Sequence, residues 1–209
     1  MPETLEQVEL HELGPQQGHP LKAERLKKLK DLILKLSYRE GDFVLASGKR
    51  SKFYIDLKAT TLHPEGATLV GECFVDLFET LVAQKKIKAT AVGGLTLGAD
   101  PIATSVSIAA FRRGLFLPAF IVRKESKDHG TSRTIEGTEN LKAHAPVIVL
   151  EDVVTTGGSS LKAVEHLRAA EYLVDTVFTI VDREQGGREN LSAQKLELYS
   201  LFTISELQG

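Results

Sequence analysis

Short β-type segments alternate with helical stretches along most of this 209-residue chain. Ala89–Val92 is followed by a helical pattern at about Ala99–Arg112, and Val147–Leu150 is followed by another at Ser160–Ala170. Val147–Leu150 is a continuous apolar run of mainly β-branched residues, which is typical of a strand buried on both faces. Strands that alternate with helices of roughly ten or more residues indicate a parallel sheet covered on both sides. The sequence therefore predicts an α/β protein with a central, mostly parallel sheet flanked by helices.

The chain before this alternation has a different character. Residues 1–20 are polar and contain glycine and proline, so we expect a mobile N-terminal extension. Apolar residues then recur at helical spacing up to a point before Gly41. Phe43–Leu45 and Lys52–Leu57 flank a polar turn, which favours a β-hairpin. A small helix and hairpin are therefore predicted to precede the main sheet.

Length and composition fit one folded domain. We predict a single domain at residues 21–209, with hood elements at 21–62 and a core at 63–209. The net charge of −2 argues against a protein that binds nucleic acid or a membrane surface. No stretch reaches the roughly 20 apolar residues that span a bilayer. Because the single cysteine also fits a reducing compartment, we expect a cytoplasmic protein with no nucleic-acid and no membrane partner.

The most informative segment is Val147–Ser160, VIVLEDVVTTGGSS. A buried strand there delivers the adjacent carboxylates of Glu151 and Asp152 to its C-terminal edge, and a turn rich in Thr and Gly leads into a helix. Such a turn can present backbone N–H groups and a helix N-terminus to a phosphate. Two carboxylates would repel that phosphate unless they bind sugar hydroxyls or a metal, so a sugar phosphate suits the whole segment. The alternative is a plain helix start capped by Ser159 or Ser160, which leaves the two acids unexplained.

A second segment, Phe120–Gly130, leaves a predicted strand and carries Arg123, Lys124, Lys127 and His129. Three cations and a histidine on a loop suit a polyanion such as pyrophosphate. A long loop of this kind often closes over substrate and excludes water. Taken alone, the segment is equally typical of a solvated charged loop.

The first segment resembles the phosphoribosyl pyrophosphate (PRPP) motif of type I phosphoribosyltransferases: a hydrophobic strand, two acids, two apolar residues and a Thr/Gly loop. The resemblance implies that Glu151 and Asp152 hold the ribose hydroxyls and that the turn cradles the 5′-phosphate. The PRPP-binding residues that it implies in this segment are Glu151, Asp152, Val153, Val154, Thr155, Thr156, Gly157, Gly158 and Ser159.

The R-K-x-x-K-x-H-G pattern of the second segment is similar to the catalytic loop of orotate phosphoribosyltransferases. The resemblance implies that Arg123, Lys124, Lys127 and His129 contact pyrophosphate, and that Arg123, Lys127 and His129 are catalytic. In that family the loop reaches into the neighbouring subunit's active site. We therefore expect a homodimer in which Arg123–Gly130 forms a flexible lid over the partner's site.

Further matches to this family follow the family's order along the chain. Phe43–Asp56 looks like the segment beside the orotate pocket, Gly93–Ala99 resembles a second glycine loop that meets the pyrophosphate, and Val181–Glu184 resembles a segment whose arginine pairs with the orotate carboxylate. The implied orotate-binding residues are Thr155, Arg183, Tyr54 and Ile55. Ala46 and Leu97 depart from the pattern, since some members carry a basic residue at each of these positions.

The family resemblance implies a specific reaction. The phosphoribosyl group of PRPP is transferred to N1 of orotate, which gives orotidine 5′-monophosphate and pyrophosphate in pyrimidine biosynthesis. Mg²⁺ is the implied cofactor, held mainly by PRPP and water rather than by a protein metal site. The alternatives are a purine phosphoribosyltransferase and a PRPP-sensing regulator without catalysis. Arg183 counts against the first alternative, and the lysine-rich loop counts against both.

Overall fold

A computed structural model of the protein describes residues 20–44, 50–124 and 134–209. The helices in these ranges are α1 (Pro20–Leu36), α2 (Lys58–Thr61), α3 (Pro64–Ala83), α4 (Ala99–Arg112), α5 (Gly158–Ala169), α6 (Gly187–Ala193) and α7 (Ile204–Gln208). The strands are β1 (Tyr38–Val44), β2 (Arg50–Ile55), β3 (Ala91–Leu95), β4 (Ala119–Val122), β5 (Ile135–Glu136), β6 (Pro146–Val154), β7 (Leu173–Asp182) and β8 (Glu197–Thr203).

Six strands form the main sheet in the order β5-β4-β3-β6-β7-β8. The neighbouring strands in β4-β3-β6-β7-β8 all pair parallel, and the short edge strand β5 runs antiparallel to β4. This arrangement confirms the predicted α/β fold with a mostly parallel sheet. β6 lies at its centre, and its side chains enter two apolar cores, one on each face of the sheet. Ile148 and Leu150 join the core under α3 and α4, whereas Val147 and Val149 join the core under α5.

A helix and a hairpin precede the sheet, as predicted. β1 and β2 pair antiparallel, and α1 packs on α3 through Leu29 and Ile33, which are fully buried. An ion pair of 2.6 Å between Arg25 and Asp76 also joins α1 to α3, and Arg113 at the end of α4 binds the same carboxylate at 2.7 Å. These contacts attach the N-terminal elements to the core. The proposed division into hood elements at 21–62 and a core at 63–209 stays a prediction.

The strand boundaries differ from the predicted ones for physical reasons. β3 was expected to end before the two glycines, but it runs through Gly93 and Gly94. A Cβ atom on Gly94 would lie 2.1 Å from the carbonyl oxygen of Leu150 in β6. Glycine therefore permits close contact between two central strands here rather than ending one of them. The edge strand β8 and helix α7 were not predicted.

Candidate active site

The carboxyl ends of β3, β6 and β7 meet at one edge of the sheet, where ligands bind in open α/β folds. β3 and β6 pair through Gly93 and Val149, and β6 and β7 pair as far as Val154 and Asp182. The segments that follow the three strands begin at Thr96, Thr155 and Arg183. The topology thus brings together the two glycine loops and the arginine that the sequence singled out.

The acidic pair lies inside β6 rather than after it. The strand continues to Val154, because Glu151, Val153 and Val154 extend the pairing with β7 beyond the end of the pairing with β3. Val153 is half-buried and donates its N–H to Asp152 Oδ1 at 2.8 Å, whereas Val154 is buried. The pair is therefore held by regular sheet hydrogen bonds on the β7 side, while its other side faces the loop after β3.

That loop lies directly against both carboxylates. A Cβ atom on Gly98 would lie 3.1 Å from Asp152 Oδ1 and 3.2 Å from Glu151 Oε1. Leu97, the neighbouring residue, is 68% exposed. The loop therefore approaches the acids with its backbone and presents an apolar side chain to solvent.

The two acids have different environments. Glu151 is only 7% exposed, and its Oε2 atom makes no hydrogen bond to the described residues. Burial first, and then the charge of Asp152, raises the pKa of Glu151 to about 8. The raised pKa avoids two adjacent negative charges. The pair therefore suits neutral partners such as hydroxyl groups.

Thr155-Thr156-Gly157 forms the turn between β6 and α5. Gly157 has a φ of +83°, a left-handed conformation that favours glycine. α5 begins at Gly158 without a side-chain cap, so the alternative of a helix capped by Ser159 or Ser160 is wrong. The N–H groups of the first helical turn have no intrahelical acceptor, and the exposed Gly158 leaves open space beside them. This is an anion-binding geometry.

Two residues that support this turn were missed by the sequence reasoning. Asn190 in α6 donates a hydrogen bond from Nδ2 to the carbonyl oxygen of Thr156 at 3.0 Å. A Cβ atom on Gly187 would lie 2.8 Å from the carbonyl oxygen of Thr155. The packing of α6 against the turn depends on contacts between distant segments, and a single sequence carries no signal for it.

Arg183 follows β7, and its backbone N–H bonds to the carbonyl oxygen of Val154 at 2.9 Å. Its guanidinium carbon lies 4.9 Å from the centroid of the Phe53 ring in β2. Nε and Nη2 are buried and donate no hydrogen bond within the described part of the chain, and burial lowers the pKa of Arg183. The side chain is thus an oriented cation with donors available for an acceptor.

Tyr54 and Ile55 lie on β2 next to Phe53. Tyr54 is 44% exposed and its ring centroid lies 5.7 Å from that of Phe43, and Ile55 is half-buried. Ile55 lies two residues from Phe53 and so on the same face of β2, whereas Tyr54 lies on the opposite face. The orotate contacts of both residues stay predictions. Phe53 lies within the Phe43–Asp56 segment, and its contact with the arginine was not predicted.

Lys58 is a third residue that the sequence reasoning missed. It is the first residue of α2, and its Nζ lies 3.3 Å from Asp56 Oδ1 and 3.7 Å from Asp152 Oδ2. Although burial opposes the shift, these two carboxylates raise the pKa of Lys58. A cation therefore lies beside the acidic pair, contributed by the segment that follows the hairpin.

Comparison with known proteins places the chain in a family. No protein-family model matches the chain. The chain is 50% identical over 182 residues to the orotate phosphoribosyltransferase of Nostoc sp., a match that covers 87% of the chain and 84% of the relative. The chain belongs to the orotate phosphoribosyltransferase family.

Solved structures of this family agree. The orotate phosphoribosyltransferase of Mycobacterium tuberculosis H37Rv in complex with Fe(III) dicitrate matches with a TM-score of 0.73 and 38% identity, over 88% of this chain and 98% of that one. The same enzyme in complex with PRPP matches with a TM-score of 0.71 and 34% identity, over 88% of this chain and 99% of that one. The predicted family resemblance is thus confirmed.

Of the predicted lid at Arg123–Gly130, the structure describes Arg123 and Lys124. Arg123 forms an ion pair with Glu136 at 2.8 Å, and its backbone N–H donates to the carbonyl oxygen of Thr134 at 2.8 Å. Lys124 is exposed. Lys127 and His129 lie outside the described residues, as does Ala46. The expected roles of all four lid residues stay predictions.

The donor set of this family member fits a hard cation. Carboxylate oxygens are the ligands that Mg²⁺ accepts, and the Asp152 carboxylate lies against the loop that follows β3. The described residues contain no group of three or more His, Cys, Asp or Glu side chains that could enclose a metal ion. Within the described ranges, no helix has the length and apolarity required to cross a membrane.

Proposed function

We propose that this protein transfers the phosphoribosyl group of PRPP to N1 of orotate, forming orotidine 5′-monophosphate and pyrophosphate. The observation that carries the proposal is the Nostoc relative, an orotate phosphoribosyltransferase that is half identical over 182 residues. The PRPP complex of the M. tuberculosis enzyme supports the same assignment. The uncapped α5, the acidic pair and the oriented Arg183 supply chemistry for a phosphate, a ribose and a carboxylate.

The phosphoribosyl half of PRPP would occupy the β6–α5 junction. The 5′-phosphate accepts hydrogen bonds from the turn at residues 155–159, where the macrodipole of α5 favours negative charge. Glu151 and Asp152 bind the ribose hydroxyls, a role that suits a protonated Glu151 because a neutral carboxyl can both donate and accept. Val153 and Val154 hold the pair in the sheet.

Orotate would lie between β2 and the end of β7. Arg183 donates two parallel hydrogen bonds to the orotate carboxylate, which a planar guanidinium does well. Phe53 fixes the plane of the guanidinium, and Tyr54 and Ile55 border the base. Thr155, in the turn that would bind the 5′-phosphate, would also contact orotate.

The chemistry is a displacement at C1 of the ribose. The bond from C1 to the pyrophosphate oxygen breaks, the bond to orotate N1 forms, and N1 gives up its proton, which the departing pyrophosphate can accept. Positive charge builds on the ribose while negative charge builds on the leaving group. Arg123, Lys124, Lys127 and His129 would stabilise that negative charge once the lid closes. Bound Mg²⁺ would supply further charge neutralisation on the phosphates.

The assembly belongs to the same proposal. The proposed assembly is a homodimer in which Arg123–Gly130, the segment that follows β4, covers the neighbouring site. The single-domain organisation of residues 21–209, the mobile segment 1–20 and the cytoplasmic location are further proposals that rest on the sequence.

An absorbance assay tests the function directly. Purified protein should consume orotate only when PRPP and Mg²⁺ are both present, and adenine, guanine and hypoxanthine should not replace orotate. Turnover of a purine instead of orotate would establish the purine alternative. PRPP binding without turnover of any base would establish the sensing alternative.

A further inference from the structure

We propose that Lys58 is a substrate-binding residue that contacts the pyrophosphate group of PRPP, an inference that rests on the function proposed above. Lys58 lies outside the family motifs in this sequence, and its position beside the acidic pair carries the proposal. Lys58 begins α2, directly after the segment that links β2 to this helix. The chain therefore brings this ammonium group to the carboxyl edge of β6 from outside the main sheet.

The contacts of Lys58 leave donors available. Nζ is 3.3 Å from Asp56 Oδ1 and 3.7 Å from Asp152 Oδ2, and its side chain is 49% exposed. The backbone N–H of Lys58 also donates to Asp56 Oδ1 at 3.1 Å, which fixes the start of α2 relative to that carboxylate. An ammonium group has three N–H donors. At most one of them donates a hydrogen bond to Asp56, and the distance from Nζ to Asp152 Oδ2 is too long for a hydrogen bond.

Charge at this edge explains why a cation is needed there. Glu151 and Asp152 lie in β6, and Asp100 lies in the first turn of α4, where it accepts a hydrogen bond from Thr96 at 2.7 Å. The pyrophosphate of PRPP must approach the Thr96–Gly98 loop, against which both β6 carboxylates lie. Coulomb repulsion between the Asp152 and Asp100 carboxylates and a polyanion is strong in a partly buried site. An ammonium group next to Asp152 reduces that repulsion and can bind the anion directly.

The loop itself supplies no side-chain cation at its tip. Leu97 is apolar and 68% exposed. Lys58 lies near Oδ2 of Asp152, whereas the loop lies against Oδ1. Lys58 thus supplies a positive charge that the tip of the loop lacks. Since ion pairs as exposed as Lys58–Asp56 contribute little to stability, replacement of Lys58 should leave the fold intact.

The test separates a pyrophosphate contact from an indirect effect on the ribose clamp. PRPP and pyrophosphate carry the diphosphate, whereas orotidine 5′-monophosphate carries only the ribose phosphate. Lys58→Gln should therefore raise the KM for PRPP, and the KM for pyrophosphate in the reverse reaction, by roughly tenfold or more, as expected for a lost charged hydrogen bond. The KM for orotidine 5′-monophosphate should change less than about twofold, and Lys58→Arg should restore most of the affinity because it keeps the charge.

Lys28→Gln is the matched control, because Lys28 also pairs with a carboxylate, Glu24 at 2.8 Å, but lies on α1. It should leave all three KM values unchanged. An equal rise for orotidine 5′-monophosphate and PRPP in Lys58→Gln would mean that Lys58 acts through Asp152 on the ribose, and unchanged values would mean that it is a surface residue. Either result overturns the inference while the wild-type protein remains active. An inactive wild-type protein would instead overturn the proposed function.

Discussion

Arg183 and Phe53 stack across the candidate active site, with the guanidinium carbon 4.9 Å from the ring centroid. The contact joins the end of β7 in the main sheet to β2 in the hairpin. Phe53 also stacks on Tyr38 of β1, with ring centroids 5.9 Å apart. The hairpin therefore orients the guanidinium through an aromatic ring and leaves its Nε and Nη2 donors available for a ligand.

Replacement of Arg183 by lysine should selectively weaken orotate binding. Lysine keeps the charge but loses the planar pair of donors and the stacked contact with Phe53. We expect the KM for orotate to rise roughly tenfold to a hundredfold, as for a lost charged hydrogen bond, with little change in the KM for PRPP. Steady-state kinetics with each substrate varied would measure both values, and Arg112→Lys on the exposed end of α4 is the control. A rise in the KM for PRPP alone would contradict the assignment.

The close contact between β3 and β6 makes a prediction about stability. A Cβ atom on Gly94 would lie 2.1 Å from the Leu150 carbonyl oxygen and 2.8 Å from the Ala99 Cβ. Gly94→Ala should therefore lower the free energy of unfolding by about 1–3 kcal/mol or more, because two central elements must move apart. Denaturant unfolding of the substrate-free protein would measure the change.

Gly158→Ala is the matched control for this substitution. Gly158 opens α5, and a Cβ atom there meets nothing within 4 Å. Alanine at this position should be neutral or stabilise the protein by up to about 1 kcal/mol. Equal destabilisation by the two substitutions would show that the contact at Gly94 is not the cause.

The sequence predicted the layers of this fold because its signals are local. The apolar run Val147–Leu150 and the helical spacing of apolar residues before Gly41 each identify an element from neighbouring residues. The end of β6 could not be predicted, since the acidic pair stays in the strand only because Glu151, Val153 and Val154 pair with β7. A polar pair usually marks a strand end, and the partner strand overrides that preference.

The site also divides into residues with a local sequence signal and residues placed by contacts between distant segments. Glu151, Asp152, the turn at residues 155–159 and Arg183 were found because each belongs to a continuous motif. Lys58 and Asn190 reach the site from α2 and α6, and their relevance depends on contacts at 3.7 Å to Asp152 and 3.0 Å to Thr156. Neither residue type is unusual where it stands, so only the three-dimensional arrangement identifies them.

The buried Glu151 should make stability depend on pH in the absence of substrate. Its pKa rises from 4.5 to about 8 on folding, so the folded protein retains a proton that the unfolded chain releases. Below pH 4.5 both states are protonated and the group has no effect. As pH rises from 4.5 towards 8, the folded state loses stability relative to the unfolded chain, by at most a few kcal/mol.

Glu151→Gln should remove this dependence. We expect the difference in unfolding free energy between Glu151→Gln and wild type to shift in favour of the variant as pH rises over this range. Denaturant unfolding at several pH values would measure it, and Glu165→Gln on the exposed face of α5 is the control. A pH-independent difference for Glu151→Gln would contradict a raised pKa at this position.

Mixing two inactive variants tests whether the lid serves the neighbouring subunit. Lys127→Ala removes a predicted catalytic lysine from the lid, and Asp152→Asn alters the ribose clamp in the body of the site, so each variant alone should have very low kcat. If the lid acts across the dimer, a mixed dimer contains one site with an intact Asp152 and an intact Lys127 from its partner. Random exchange of subunits should then restore about a quarter of wild-type activity, because half of the dimers are mixed and each has one complete site. A mixture that stays as inactive as its components, in a preparation shown by mass spectrometry to contain mixed dimers, would mean that each lid closes over its own subunit.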